Sequence, residues 1–381
     1  MLIAQVNGHF ALDKAGPPLD PVPEKSKRFD LEARTPEATI VTIADVARHA
    51  GVAASTVSYV LSGKRSISSE TRDRVQDSVR ALGYRPNASA RALASNRSNV
   101  LALVIPLRAG MHVPVLMQFA TAVVTTARRY DHDVLLLTAD EGRSGLERVS
   151  QSALVDALVV MDVELHDERV PLLRELPMPS VLIGIPADTD GLTCIDLDFF
   201  AAAEQCVDHL TDLGHRSIAL LGTPSAVYER QTGFAARTLA GFQAATGRRG
   251  VVGIETPCEP AFDAVLDTVE ELLHEHPGIT GLVVQNEPII GPLLDVLRLL
   301  GRRVPEDMSL MAICADDVAE RHVPNLSSVT LPADDIGQRA VEMLIAKLEG
   351  SQTAAVTLVP AQLVARASTS AAPDVHARTT A

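Results

Sequence analysis

Two groups of residues in this 381-residue chain have the types and spacing to do chemistry. The first is a run of small and hydroxyl side chains, Ala54, Ser55, Thr56, Ser58 and Tyr59, flanked by Thr42, Thr71 and Tyr84. Hydroxyls and helix N-termini hold phosphate oxygens, and small side chains let a helix come close enough to a groove to read base edges. The second group is acid and amide side chains placed just after apolar runs: Asp316 and Asp317 after Met308 to Cys314, and Asn286 after Gly281 to Gln285. At the carboxyl end of a buried strand, such groups can hold the hydroxyls or amines of a small ligand.

Short helices must position the first group. Thr42 with Asp45 three residues on reads as a capping box, and Ile43, Val46 and Ala47 follow at helical spacing. Gly51 ends that helix, because Gly enters the left-handed conformation cheaply and so permits a tight turn. A second helix is expected from about Ala54 to Leu61, with Val57, Val60 and Leu61 inward and the hydroxyl run outward. A third begins at Ser68 or Ser69, buries Val75, Val79 and Leu82, and stops at Gly83 with Pro86 following. The same helix–turn–helix pattern occurs in all-helical proteins that never touch DNA. Charge bears on the choice: residues 41 to 99 carry nine Lys/Arg against four Asp/Glu, whereas the whole chain has net charge −14. The rest therefore holds about −19, and such segregation suits a phosphate-facing head on a body that DNA repels. The plainer alternative is a solvated basic face.

Val41-Thr42-Ile43-Ala44-Asp45-Val46-Ala47, Ala50-Gly51-Val52, Thr56-Val57-Ser58, Gly83-Tyr84-Arg85-Pro86-Asn87 and Ala90-Arg91-Ala92-Leu93 resemble the LacI/GalR transcription regulators in order and spacing. The resemblance continues through Gly214-His215-Arg216, Val304-Pro305-Glu306-Asp307 and Asp316-Asp317, covering residues 41 to 366. It implies an all-α helix-turn-helix head followed by two α/β lobes of doubly wound parallel sheet, like the type I periplasmic binding proteins. It further implies a repressor that binds a palindromic double-stranded operator as a homodimer, or as a tetramer built from it, under control of a small-molecule effector. By resemblance Ala54, Ser55 and Tyr59 read bases, while Thr42, Thr56, Ser58, Thr71 and Tyr84 position phosphates. Asn87, Ala90 and Leu93 would belong to a hinge that wedges Leu93 into the minor groove. Residues 87 to 95 are fewer than the roughly 12 to 15 an isolated helix needs, so the hinge should order only on DNA.

From Val100 onward, β-rich runs alternate with helical patterns in two series, the first ending near Ile185 and the second running from Ser217 to Cys314. That alternation predicts parallel sheets covered by helices. The expected boundaries are a disordered extension over 1–40, the head over 41–86, the hinge over 87–98 and an effector-binding and dimerisation domain over 99–368. A disordered tail is expected over 369–381. The resemblance adds the crossings: Leu326 to Leu331 and the helix near Ala333 to Glu349 return to the first lobe, and Val356 to Arg366 completes the second. Lobe 1 would thus hold 99–197 and 327–350, and lobe 2 198–326 and 351–368.

Asp316, Asn286, Thr238, Tyr228 and Leu107 form the effector set implied by resemblance. Several positions depart from the family pattern. Glu287 stands for a more usual Asp. Thr238 stands where an Arg often precedes the Gly241-Phe242 pair, and Arg237, displaced by one position, is swung by about 100 degrees. Gly184 stands where many relatives carry Asp. The chain has no Trp, and the segment around Thr256 and Pro257 lacks a stacking aromatic. The expectation is an effector that is not a simple sugar held in the common way, or a weak response to any small molecule.

Other classes fit less well. No Gly-x-Gly-x-x-Gly, Walker-type loop or Gly-x-Ser-x-Gly elbow marks an enzyme, and the 11 His and 4 Cys show no ligand spacing, so no cofactor or metal is expected. Apolar runs such as Val100 to Pro106 fall short of the roughly 20 residues of a membrane span. Met1 to Lys14 lacks the pattern of a secretory signal. A cytoplasmic, nucleoid-associated protein is expected; a two-lobed small-molecule sensor without operator binding is the alternative.

Overall fold

The computed structural model describes residues 41–62, 65–84, 97–108, 112–138, 142–152 and 154–373. The chain divides into two units, one ending at Pro86 and one beginning at Asn87. The extension over 1–40, the hinge residues Asn87, Ala90 and Leu93, and residues 374–381 lie outside the described residues. Residues 369–373, expected to begin a disordered tail, are instead ordered against the body, because Ser370 donates its N–H to Ser309 Oγ at 3.0 Å and Ala372 donates to the Leu213 carbonyl at 2.8 Å.

The first unit is three helices, α1 (Ile43–Ala50), α2 (Ala54–Ser62) and α3 (Ser69–Leu82). Asp45 accepts from the Thr42 N–H at 2.9 Å, Gly51 adopts φ 63° and Gly83 φ 61°, so each turn is made where the backbone permits it. Val46, Ala47, Ala50, Val57 and Val75 are buried, with Val60, Val79 and Leu82 packed against them. Leu61, expected inward, is 39% exposed. The small core closes on Val57 and Val60, which leaves Leu61 at its rim.

The second unit contains two six-stranded sheets. In the first, β1 (Val100–Val104), β2 (Asp133–Leu137), β3 (Ala157–Val160), β4 (Ser180–Ile183) and β5 (Cys194–Leu197) are joined by helices that include α4 (Val113–Arg129), α5 (Gly142–Gln151) and α6 (Val170–Glu175). The chain then passes through α7 (Phe199–Asp212) to the second sheet. That sheet is built from β6 (Ser217–Gly222), α8 (Ser225–Glu229), α9 (Gly233–Arg249), β7 (Val252–Pro257), α10 (Phe262–Glu275), β8 (Gly281–Val284), α11 (Ile290–Leu299), β9 (Ser309–Cys314), α12 (Asp316–Arg321) and β10 (Ser327–Thr330). Next come α13 (Ala333–Leu348), β11 (Val356–Val359) and β12 (Leu363–Val364). Strands such as β3, β8 and β9 are buried along their whole length, as expected where helices cover both faces.

The crossings differ from the expected pattern. β10 does not return to the first lobe: it pairs in parallel with β9, Ser327 opposite Met311, and stays in the second sheet. β11 does not join the second lobe either, because Val356 pairs with Cys194 of β5 and extends the first sheet. Only β12 goes back, antiparallel to β10. The cause is burial. Ser327, Ser328 and Val329 are fully enclosed beside β9, and the chain crosses at Leu331–Pro332 before α13 packs on α4. Lobe 1 therefore holds α13 and β11, whereas lobe 2 holds β10 and β12.

Candidate functional sites: a nucleic-acid face and an inter-lobe cleft

On α2 the core takes Val57, while Ala54, Ser55 and Ser58 are exposed and Thr56 is half-buried. Tyr59 is 38% exposed, and the Arg65 guanidinium sits over its ring at 5.7 Å from the centroid, within cation–π range. Thr42 spends its hydroxyl proton on Asp45 Oδ2 at 2.7 Å. The Thr42 bonds, with Arg48 assisting, hold the Asp45 carboxyl below its ordinary range. The Thr71 hydroxyl instead accepts from Ser68 at 2.9 Å, which leaves its own proton to donate. Tyr84 is half-buried against the head core.

Within the second unit a cavity of about 170 Å³ opens between the sheets. Phe119, Met161 and Ile183 line it from one side, and Phe234, Asn286 and Pro288 from the other. The lobes are strapped beside it, since Gly233 donates to the Val163 carbonyl at 2.9 Å and Leu165 to the Gln231 carbonyl at 2.8 Å. His112 Nδ1 meets Glu287 Oε2 at 3.1 Å, and Glu287 Oε1 accepts from the Ala315 N–H at 3.1 Å.

Most polar groups of the lining are already engaged by protein partners. Asn286 donates to the Cys258 carbonyl at 2.7 Å, and Gln285 donates to Thr238 Oγ1 at 2.5 Å while its Oε1 finds no partner. Asp162 accepts from Arg108 at 2.9 Å, and Arg108 also donates to Glu164 at 2.7 Å. Burial, outweighing Arg108, pushes the Asp162 carboxyl above its usual range. Asp196 on β5 is 5% exposed with one oxygen unpartnered. Burial pushes its pKa up to about 7, with Arg237 pulling the other way.

Of the expected effector residues, Asn286 lines this cavity, and Thr238 sits wholly buried behind Gln285. Asp316, Tyr228 and Leu107 are not brought to it. The Asp316 carboxylate accepts from Arg366 at 2.8 Å and Thr330 at 3.0 Å, which holds it at the β9–β10 strand ends outside the lining. Tyr228 bonds Thr223, and burial raises its phenol pKa. Leu107 is 47% exposed. Arg237 is turned to the Ile185 carbonyl at 2.5 Å and does not line the cavity. Gly184 does line it, at φ 125°, and a Cβ there would come 2.8 Å from Val163 Cβ, so an Asp at this position has no room.

Residues 42–87 match the model of the bacterial regulatory proteins of the lacI family, and residues 207–369 match the periplasmic binding protein-like domain. The chain thus joins a lacI-family regulatory head to a periplasmic binding protein-like domain. Catabolite control protein A of Priestia megaterium is 28% identical over 310 residues, covering 80% of this chain and 91% of the relative. The HTH-type transcriptional regulator CelR of Thermobifida fusca is 28% identical over 338 residues, covering 84% and 95%. Among solved structures, the lac repressor dimer bound to operator and the anti-inducer ONPF superposes with TM-score 0.75 at 23% identity, covering 87% of this chain and 99% of that one, which shows the shared fold.

With this domain pair and these relatives the chain is a DNA-binding transcription regulator rather than an enzyme. Among the described residues no helix is long and apolar enough to cross a membrane, and no group of His, Cys, Asp or Glu could hold a metal ion. Sequence reasoning missed His112, Asp162, Asp196, Arg230, Gln285 and Glu287 as cavity residues. Asp196 carried a usable signal, a lone acid inside the buried run Cys194–Leu197. Arg230 follows the short α8, where no periodicity marks it.

Proposed function

We propose that this regulator binds a palindromic double-stranded operator as a homodimer, represses the adjoining genes, and is controlled by a small molecule in the inter-lobe cavity. The observation that carries the reading is the exposed N-terminal face of α2. Ala54, Ser55 and Ser58 stand open there, with Tyr59 beside them under Arg65, on a helix locked from behind by Val57. Base reading belongs to Ala54, Ser55 and Tyr59, whose ring can pack on a thymine methyl while its hydroxyl bonds a base edge. Phosphate placement belongs to Thr56, Ser58, Thr71 and Tyr84; Thr42 serves by capping α1 and meets a phosphate only by releasing Asp45. Asn87, Ala90 and Leu93, outside the described residues, complete the set as a hinge ordered by the minor groove. The site of action is the cytoplasm, on the nucleoid.

The test is selection of duplexes from a random palindromic pool, followed by binding isotherms at rising salt. Affinity should fall linearly with log salt, and Tyr59→Ala should change which half-site is preferred. A monomer with no salt-sensitive binding to any duplex overturns the reading. Equal losses on all sequences for Tyr59→Ala remove Tyr59 from the base-reading set.

A further inference from the structure

The cavity is poorly suited to a polyol. A sugar presents a donor and acceptor at nearly every carbon, and each buried hydroxyl left unpaired is costly. Here most of the polar lining is already spent, His112 and Glu287 on each other, Asn286 on Cys258 and Asp162 on Arg108, and single acceptor oxygens of Gln285 and Asp196 stay unpartnered. What remains is mainly aromatic surface. Three of the chain's 8 Phe, Phe119, Phe199 and Phe234, line this one cavity. The Phe199 and Phe234 rings lie 5.6 Å apart, tilted by 46°.

Arg230 differs from the unpartnered Gln285 and Asp196 oxygens in being a cation with free donors. Its Nε and Nη2 lack any hydrogen-bond partner, and its nearest acid oxygen, Glu164 Oε1 at 3.8 Å, already accepts from Arg108 at 2.7 Å. Asp196 can answer its own burial by taking up a proton, since burial raises its pKa to about 7. A guanidinium cannot shed its charge, so its planar fork calls for an acceptor from outside.

Resting on the reading of this cavity as the effector site, we propose that the effector is an apolar, aromatic-sized molecule with one carboxylate. Arg230 holds the carboxylate, and Phe119, Phe199 and Phe234 pack the body. Bidentate geometry suits the fork, and aromatic burial supplies most of the affinity.

The experiment is calorimetric titration of the full chain, without DNA, with 4-phenylbutyrate, 4-phenylbutanol, 4-phenylbutylamine and cellobiose. The acid should bind about tenfold or more tightly than the alcohol and amine, and cellobiose should give no heat. Arg230→Gln should bring the acid down to the alcohol's affinity, and Arg230→Lys should retain part of the difference, with unchanged melting temperatures showing that both variants fold. Acid and alcohol binding alike, the amine binding best, no heat from the acid, or cellobiose binding with Arg230→Gln indifferent would each overturn the proposal. Operator binding is read separately by mobility shift. A chain that takes the acid but no duplex keeps the ligand assignment and loses the regulatory reading, and the opposite result does the reverse.

Discussion

The head face and the inter-lobe cavity are both built from short polar side chains near helix N-termini and strand ends, yet they keep those side chains in opposite states. On α2 the hydroxyls stand open to solvent, and the core behind them is a handful of valines and alanines. In the cavity most of the amides and acids are turned onto protein partners, leaving mainly aromatic and aliphatic surface exposed to a ligand. The head is therefore suited to recognition through hydrogen bonds and charge, which salt weakens, and the cavity to recognition through apolar burial, which salt leaves nearly untouched. One chain thus presents two chemistries, each in a unit with its own core.

Substitutions can break that comparison from the largest effect downward. Phe242, fully buried on α9, packs among Ile218, Leu220 and the rest of the body core. Phe242→Ala should cost the body about 3–5 kcal/mol, read by calorimetric unfolding, while the head's transition stays where it was. Asp196→Asn comes next and depends on pH. An acid whose folded pKa is raised to about 7 binds its proton more tightly folded than unfolded. Its contribution is fully present below about pH 4 and is lost as pH rises through 7. The body should thus weaken between about pH 4 and 7, and Asp196→Asn should flatten that slope and stabilise the protein at pH 8 by roughly 2–4 kcal/mol. An unchanged pH profile would show that Asp196 is paired in solution. Thr42→Ala removes the hydroxyl's bond to Asp45 and should cost the head about 1 kcal/mol, with the body's transition unmoved.

How much of this was legible in the sequence follows the same division. The head could be read because its signals are local: Thr42 with Asp45, Gly51, Ser68 and Gly83 each act within four residues, and helix spacing alone turned Ser55 and Ser58 outward. The alternation of strands and helices in the body was legible for the same reason. The path between the lobes was not, since nothing in Ser327–Thr330 or Val356–Val359 tells which sheet edge each will join; that is settled by burial against β9 and β5. The cavity was the least legible. Asn286 showed itself at a strand end, but Arg230 and His112 reach the lining from segments far apart in the chain. Asp316, with the right residue type at the right strand end, is drawn aside by Arg366, fifty positions away.

The smallest expected effect is also the sharpest comparison, because the two units carry matched surface ion pairs. Asp77 with Arg80 on α3, and Asp295 with Arg298 on α11, have the same three-residue spacing and similar exposure, with the arginines 71% and 73% exposed. Solvent screening makes each pair worth little, so Arg80→Ala and Arg298→Ala should each shift stability by no more than about 0.5 kcal/mol. Binding should separate them. Loss of a cation from the basic head lowers the attraction for any duplex regardless of sequence, with a shallower salt dependence, whereas loss of one from the acidic body leaves it unchanged. If Arg298→Ala weakened duplex binding as much as Arg80→Ala, the division of charge between the units would not be what brings DNA to the head.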